Sequence, residues 1–559
     1  MRRLRQGIGP AHALVGLLLL AGLALRLWHN DYGLPYVYNV DEGSHFTSRA
    51  VAMFSGDFNP GYFQNPSGYT YLVHVFLWLR GFGDVVEQFK QDPTEIYQAA
   101  RSLAAVICIA GGAAVFAVAK RVWGVREGVV AAAILTFAFL PVTYSRIAVT
   151  DVGTLLPVAL AVYGALRAHE TGERRWFCLA GAAAGLAIGF KYTAGLVLLP
   201  VLLAAALRLR GGAAAALAGA ALAIGCAVVA FFVTTPWFFF DLDTARRQIE
   251  AQATTAGDFP KLGQRQDSGL VYYLESLTWG LGWAGALAAL AGLAIEARRD
   301  LRRAALLAVF PLALVAYLSL QSRYFGRWLL PAYPVLAMLG AVALVRASEL
   351  VTRPRAAMAV LATLTAAVLA QPLAADVRTG RLLGRSDTRQ LAREYLVERF
   401  PPRLRVVVEP AVPARWYRLN RPGRKAPLSR KQFVRGFVKD IQESRIDYAA
   451  TLRPGTIERY RELGFCVVAT MSVIRGRAEN DRVEGALAYY ERLERESELL
   501  TAFSPYEQGG GTPRFHFDLS YNHYPTAFER PGPLVRIYRL DDCRQRYGPL
   551  PRGAGTPAS

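Results

Sequence analysis

The sequence is poor in the residues that build metal and redox centres. Its 559 residues include five Cys and seven His. None of them falls in a C-x-x-C or Cys/His spacing that would hold zinc. It has no P-loop and no Gly-x-Gly-x-x-Gly opening a helix, so the usual nucleotide-binding anchors are missing. It shows no internal repeat, the feature that transporters built from two related halves display. No small-x-small cleavage site follows the first apolar run, Ala13–Leu27, which ends Leu25-Arg26-Leu27-Trp28. That run reads as a retained helix with a cytoplasmic N-terminus rather than a removed signal peptide.

What is abundant is apolar. Fully 53% of the chain is hydrophobic, high for a soluble protein. The net charge of +21 would suit nucleic acid, but many cations sit in short clusters between apolar runs, as topology signals do. No nucleic-acid partner is expected; the lipid bilayer is. About eleven spans are expected: Ala13–Leu27, Ile96–Ala119, Glu127–Val142, Val152–Leu166, Trp176–Phe190, Thr193–Ala206, Ala213–Val233, Ser276–Ile295, Ala304–Leu320, Trp328–Val345 and Ala356–Ala374. Ser67–Phe82 is short and broken by Gly68, His74 and Arg80. Letting it cross would put the large basic clusters outside, so it is kept in the outer loop, where Ser44–Phe54 forms a short interfacial helix.

After the last span the composition changes. Asp387–Phe400, Lys431–Glu443, Thr456–Leu463 and Val483–Leu500 read as helices, and Leu404–Glu409, Phe465–Met471 and Leu534–Leu540 as strands. The expectation is a membrane domain over 1–375, an extracytoplasmic α/β domain over 376–547 and a disordered Pro/Gly-rich tail over 548–559. Cys108, Cys178 and Cys226 lie in apolar runs and read as small core residues. Cys466 and Cys543 could pair outside the cytoplasm, though sequence gives no distance.

With this topology a set of polar residues returns to one side: Asp41, Glu42, His45, Arg146, Asp151, Lys191, Arg323, Tyr324 and Arg327. Each has a plainer role available. Asp151 could cap the helix starting at Val152, Lys191 could snorkel from a helix end, and the arginines could bind ordinary lipid phosphates. Gathered on one side, they combine a carboxylate able to take a proton from an attacking hydroxyl with cations able to hold a leaving phosphate. An anionic lipid headgroup would suit such a site.

Several short motifs then occur in order: Asn39-Val40-Asp41-Glu42-Gly43, Asn65-Pro66-Ser67-Gly68-Tyr69, Ala100-Arg101-Ser102-Leu103, Ser145-Arg146-Ile147-Ala148-Val149-Thr150-Asp151, Gly189-Phe190-Lys191-Tyr192-Thr193, and Arg323-Tyr324 before Leu329-Leu330-Pro331. Over about residues 8–375 this order resembles the GT-C superfamily of polyprenyl-phosphate-sugar glycosyltransferases. The nearest likeness is to its protein O-mannosyltransferase and lipid A aminoarabinose transferase branch. The resemblance implies a GT-C-like polytopic α-helical fold, with Asp41 as catalytic base, Glu42 beside it and Asp151 organising sugar or acceptor. It implies a lipid phosphate held by Lys191 and Arg323, with Tyr324, Arg327, Arg101 and Arg146 around the donor. The segment before Pro331 is longer than the family's Arg-Tyr-x-x-Pro pattern, leaving Arg323 and Arg327 as alternatives. The C-terminal domain does not resemble a β-trefoil, so a protein acceptor is not specified.

An inverting transferase in the plasma (inner) membrane is therefore expected. It would move mannose or a similar sugar from a polyprenyl-phosphate carrier to an extracytoplasmic protein, glycolipid or polysaccharide. A flippase of lipid-linked sugars is the alternative, and a scaffold is a third reading. No cofactor is certain; a divalent cation, Mg2+ or Mn2+, is left open, with its ligands unknown.

Overall fold

The computed structural model describes residues 9–81, 83–264, 268–400, 406–417, 433–435, 448–507, 513, 515, 517 and 524–544. The chain forms two compact units. The first comprises Met1–Asp31, Asp41–Phe259 and Asp267–Gly380; the second comprises Tyr32–Val40, Pro260–Gln266 and Arg381–Ser559. The second thus takes two short segments from within the membrane-domain sequence, in addition to the chain after Arg381.

The first unit is helical. Among the described residues eight helices are long and apolar enough to cross a bilayer, or nine if the bent pair Val125–Phe137 and Phe139–Ser145 is one span. The two remaining expected spans are shorter. Arg174–Phe190 has 17 residues. The other begins with a 3-10 segment, Tyr192–Val197, and continues as the 9-residue helix Leu198–Ala206. Gly68–Leu79 has 12 residues and rises about 18 Å, too little for a core of about 30 Å.

Helices in lipid gain little from hydrophobic burial and associate by close packing of small residues. Arg174–Phe190 and Ala213–Thr234 meet in this way: a Cβ at Gly181, Gly185 or Gly189 would collide with Ala223, Ala227 or Thr234. Gly292 lies equally tight against Leu339.

The bent pair turns by 54°. Ala138 at the break is extended, and Pro141 follows with no N–H to offer. The carbonyl of Thr136 accepts from Arg26 Nη2 at 2.9 Å instead of from the helix. Arg26 is itself 1% exposed inside the first span. A buried cation on one helix thereby satisfies a backbone break in another.

The second unit holds a five-stranded sheet. The strands are β1 (Val406–Val408), β2 (Phe433–Arg435), β3 (Val467–Met471), β4 (Ser497–Phe503) and β5 (Val535–Leu540), in the order β2-β1-β3-β5-β4. The first three are mutually parallel; β5 is antiparallel to β3 and β4. Alternate residues face opposite sides, as a pleated strand requires. Val406, Val408, Val467 and Ala469 pack with Ala392 and Leu396 of helix Thr388–Arg399. Val407, Val468 and Tyr538 pack with Ile457, Tyr489 and Leu493 on the other face.

Cys466 and Cys543 form a disulfide with Cα atoms 5.5 Å apart. Two helix expectations are corrected. Glu484–Arg495 ends before Ser497, and the rest of the expected Val483–Leu500 helix becomes β4 because β5 supplies a hydrogen-bonding partner. Within Lys431–Glu443 the described residues Phe433–Arg435 are a strand, and the remainder lies outside the described residues.

Candidate active site

Asp41 opens a π-helical turn, Glu42–Phe46, that runs into helix Thr47–Ala52. Such turns insert a residue and re-aim the side chains around them. Here the two neighbouring carboxylates diverge. Glu42 is 0% exposed, whereas the Asp41 side chain is 29% exposed.

Glu42 is a structural hub. Arg101 donates Nε and Nη2 to its two oxygens at 2.6 and 2.8 Å, and the backbone N of Ala148 donates to Oε1 at 2.9 Å. Arg101 Nη1 also holds the carbonyl of Asn30 at 2.7 Å. Three chain-distant segments thus converge on one buried carboxylate. A charge buried this deeply persists only when it is paired and hydrogen-bonded.

Asp41 takes the other direction. Its Oδ2 lies 2.6 Å from Arg327 Nη2, at the start of the 3-10 segment Gly326–Ala332. His45, one turn along, places Nε2 3.8 Å from Asp41 Oδ1 and stacks on Tyr62 with ring centres 4.6 Å apart. Burial lowers the His45 imidazole below its ordinary value, outweighing the carboxylate beside it, so the ring is neutral at pH 7. Arg49 covers the other side of Tyr62, 4.8 Å from the ring centre. Arg49 and Tyr62 stand outside the expected set of polar residues. Helical spacing from Asp41 through His45 to Arg49 would have placed Arg49 on the same face.

A second pair stands next to this one. Asp151 is not the N-cap of the following helix: it starts the 3-10 segment Asp151–Thr154, and the N-cap of helix Leu155–Thr171 is Thr154. Instead it pairs with Lys191, both nearly buried. Lys191 ends helix Arg174–Phe190 in extended conformation, and Thr150 Oγ1 ties the loops together by donating to the Phe190 carbonyl at 2.7 Å. Asp41 and Arg327 both act electrostatically on Lys191, which places the two pairs in one field.

The remaining expected residues are distributed differently. Arg323 Nε donates to the carbonyl of Phe259 at 2.7 Å, so of the two alternatives it is Arg327 that reaches Asp41. Tyr324 is buried and stacks on Tyr272 at 5.3 Å, within an aromatic core. Arg101 serves Glu42. Arg146 is buried and donates to the carbonyls of Leu25 and Asp376, at 2.9 and 3.2 Å. Both were expected around the donor; in the structure both bind backbone carbonyls, and Arg101 also holds Glu42.

A metal finds no ready cage. Asp41 and Asp151 each already face a cation, and among the described residues no three His, Cys, Asp or Glu side chains gather as ligands.

The family described as Dolichyl-phosphate-mannose-protein mannosyltransferase matches residues 95–240, which carry Arg101, Arg146, Asp151 and Lys191. No curated protein matches the sequence. The fold is similar to that of the archaeal oligosaccharyltransferase AglB from Archaeoglobus fulgidus in complex with an inhibitory peptide and a dolichol-phosphate. That match has a TM-score of 0.52 and 12% identity, covering 91% of this chain and 74% of that one. The apo form of the Archaeoglobus fulgidus oligosaccharyltransferase aligns with a TM-score of 0.51 at 13% identity, over 87% and 71% of the two chains. ArnT from Cupriavidus metallidurans bound to undecaprenyl phosphate aligns with a TM-score of 0.49 at 16% identity, over 82% and 93%. Residues 95–240 thus match that family's model, and the chain has a polytopic helical fold similar to that of the Archaeoglobus fulgidus oligosaccharyltransferase.

Proposed function

We propose that the protein transfers a monosaccharide, mannose or a similar sugar, from a polyprenyl-phosphate carrier to a hydroxyl acceptor, with inversion at the anomeric carbon. The observation that carries this reading is the pair of carboxylate–cation contacts, Asp41–Arg327 and Asp151–Lys191, assembled from four distant points of the sequence.

Lys191 and Arg327 are the cations a lipid phosphate meets. The monoanionic phosphodiester of the donor competes with Asp41 for Arg327, because charge-assisted bonds to phosphate are strong. Asp41, released, becomes the base. The acceptor oxygen attacks C1 and its proton passes to an Asp41 oxygen. The bond from C1 to the phosphate oxygen breaks, and its electron pair leaves on the polyprenyl phosphate, where Lys191 and Arg327 stabilise the added charge. A single displacement of this kind inverts the anomeric centre. Asp151 fixes Lys191 and faces the sugar. Glu42 positions the loops and does not enter the proton transfer.

The extracytoplasmic side of the plasma membrane is the proposed location of the site. The Cys466–Cys543 disulfide supports it, since such bonds persist in oxidising compartments. Tyr32–Val40 belongs to the unit that carries this disulfide, and the chain runs from it directly into Asp41.

The test is transfer by the purified full-length protein from radiolabelled polyprenyl-phosphate mannose to a membrane extract. Label entering a new product with wild type and not with Asp41→Asn supports the reading. Movement of fluorescent lipid-linked sugar across liposomes without any transfer, over a panel of donor sugars, would replace it with the flippase.

A further inference from the structure

Asp41 stands where the chain passes from one unit to the other: Val40 belongs to the second unit and Asp41 to the first. On its C-terminal side Asp41 is followed by Glu42, which Arg101 fixes with two short bonds. On its N-terminal side it is preceded by Tyr32–Val40, and this segment is gripped by side chains of the second unit.

The grip is aromatic. Tyr38 is 9% exposed and packs with Ala392, Leu396 and Trp416. The Arg389 guanidinium lies over its ring, 3.8 Å from the ring centre. Arg389 is itself fixed. Its Nε and Nη2 donate to the two oxygens of Asp387 at 2.9 and 2.8 Å, and its Nη1 donates to the Ala411 carbonyl at 3.2 Å. A guanidinium held by a carboxylate fork keeps a fixed plane, and the ring stacked on it is fixed with it. Arg393 covers Tyr36 at 5.4 Å, and the Tyr32 and Tyr524 hydroxyls meet at 3.2 Å.

The backbone of the segment is constrained as well. Val37 is 2% exposed and has a φ of +61°. A β-branched residue avoids this left-handed region, and such a conformation persists only where the surroundings over-determine it. The Gly33 carbonyl accepts from the backbone N of Tyr36 and of Val37, at 3.0 and 2.9 Å. Three peptide units separate Tyr38 from Asp41, so their Cα atoms lie at most about 11 Å apart. Little slack remains between the grip and the carboxylate.

We infer that Tyr38 and Arg389 are positioning residues: by holding this segment they set where the Asp41 carboxylate stands, and the second unit thereby governs the rate of transfer. The inference rests on the transferase reading above and extends it to residues outside the site. A displacement of about 1 Å at a reacting group can cost about 10²-fold in rate, so a loosened grip acts on the chemical step rather than on donor binding.

The experiment uses the full-length protein in nanodiscs and reads single-turnover transfer, donor affinity and amide hydrogen exchange over residues 39–46. Tyr38→Leu and Arg389→Met should each slow transfer by about tenfold or more, change donor affinity far less, and speed exchange over 39–46 by about tenfold or more. Tyr38→Phe should match wild type, because the ring carries the contact and, among the described residues, the buried hydroxyl has no hydrogen-bond partner. Leu493→Ala, in the core on the opposite face of the sheet, lowers the stability of the second unit and should leave transfer unchanged. Adding Arg389→Met to Asp41→Asn should slow transfer no further, since Arg389 acts through Asp41. Three results would overturn the inference: wild-type transfer and exchange in both Tyr38→Leu and Arg389→Met, an equal loss of transfer in Leu493→Ala, or the full additional loss in the Asp41→Asn background. A wild type that transfers no sugar, with exchange still responding to Tyr38→Leu, would remove the transferase reading and leave the grip in place, so the two failures are separately visible.

Discussion

The two adjacent acids should respond very differently to mutation, and the difference can be sized. Glu42 is fully buried against a 2% exposed Arg101. Glu42→Ala would strand that guanidinium, and breaking a buried pair by removing one partner costs roughly 3–5 kcal/mol. Glu42→Gln keeps the shape and can still accept from Arg101 and Ala148 N, but it loses the charge and one acceptor. A cost of about 1–3 kcal/mol is expected. Asp41→Asn touches a partly exposed pair and should change stability by about 1 kcal/mol or less. For activity the order reverses. Removing a general base costs roughly 10²–10⁴-fold in kcat, while Glu42→Gln should lose about tenfold or less through a loosened loop, equivalent to about 1.4 kcal/mol. The assays are thermal inactivation in detergent and transfer at saturating donor. Equal loss of kcat in Glu42→Gln and Asp41→Asn, with both proteins equally stable, would refute the separation of roles and make Glu42 part of the chemistry.

Other outcomes follow from the same contacts. Arg327→Met and Lys191→Met should each weaken binding of polyprenyl phosphate by about tenfold or more, as loss of a charge-assisted bond implies; Arg323→Met should weaken it far less, measured by titration in nanodiscs. Reducing the Cys466–Cys543 bond, which closes a 77-residue separation, should lower the stability of the second unit by about 4.5 kcal/mol in the chain-entropy account, read by urea unfolding in dithiothreitol. Burial raises the Glu409 carboxyl from 4.5 to about 8, only partly opposed by its bonds from Tyr490 and Met471. The folded state then binds a proton that the unfolded state has released. Stability of that unit should fall as pH rises between those values, by up to about 1.4 kcal/mol per pH unit, and level off above. Glu409→Gln should flatten that profile, as monitored by pH-dependent denaturation.

The sequence carried the order of the polar motifs because each sits at a helix end, where loops and apolar runs are plainly separated. Asp151 and Lys191, 40 residues apart, were legible as members of one site by topology alone. The direction each side chain takes was not. The π-turn after Asp41 turns Glu42 inward, and no periodicity rule reads a π-turn from Asp-Glu-Gly-Ser-His. Choosing between Arg323 and Arg327 required knowing that the Phe259 carbonyl takes the first. Among the described residues two of the eleven expected spans are shorter than the rest, because Tyr192–Val197 is 3-10 helix and Arg174–Phe190 has 17 residues, differences that composition does not record. In the second unit the Glu/Arg-rich stretch through Leu500 has helical composition, but pairing with β5 decides its last part, and partners distant in sequence are invisible to local propensity.

The most direct test of the central claim separates binding from chemistry at Asp41. Donor affinity and single-turnover transfer would be measured on the same preparation of wild type and Asp41→Asn. The account predicts that the variant binds polyprenyl-phosphate sugar at least as tightly as wild type, because Arg327 no longer has a charged competitor, while transfer falls at least about 10²-fold. Transfer at the wild-type rate by Asp41→Asn would contradict it.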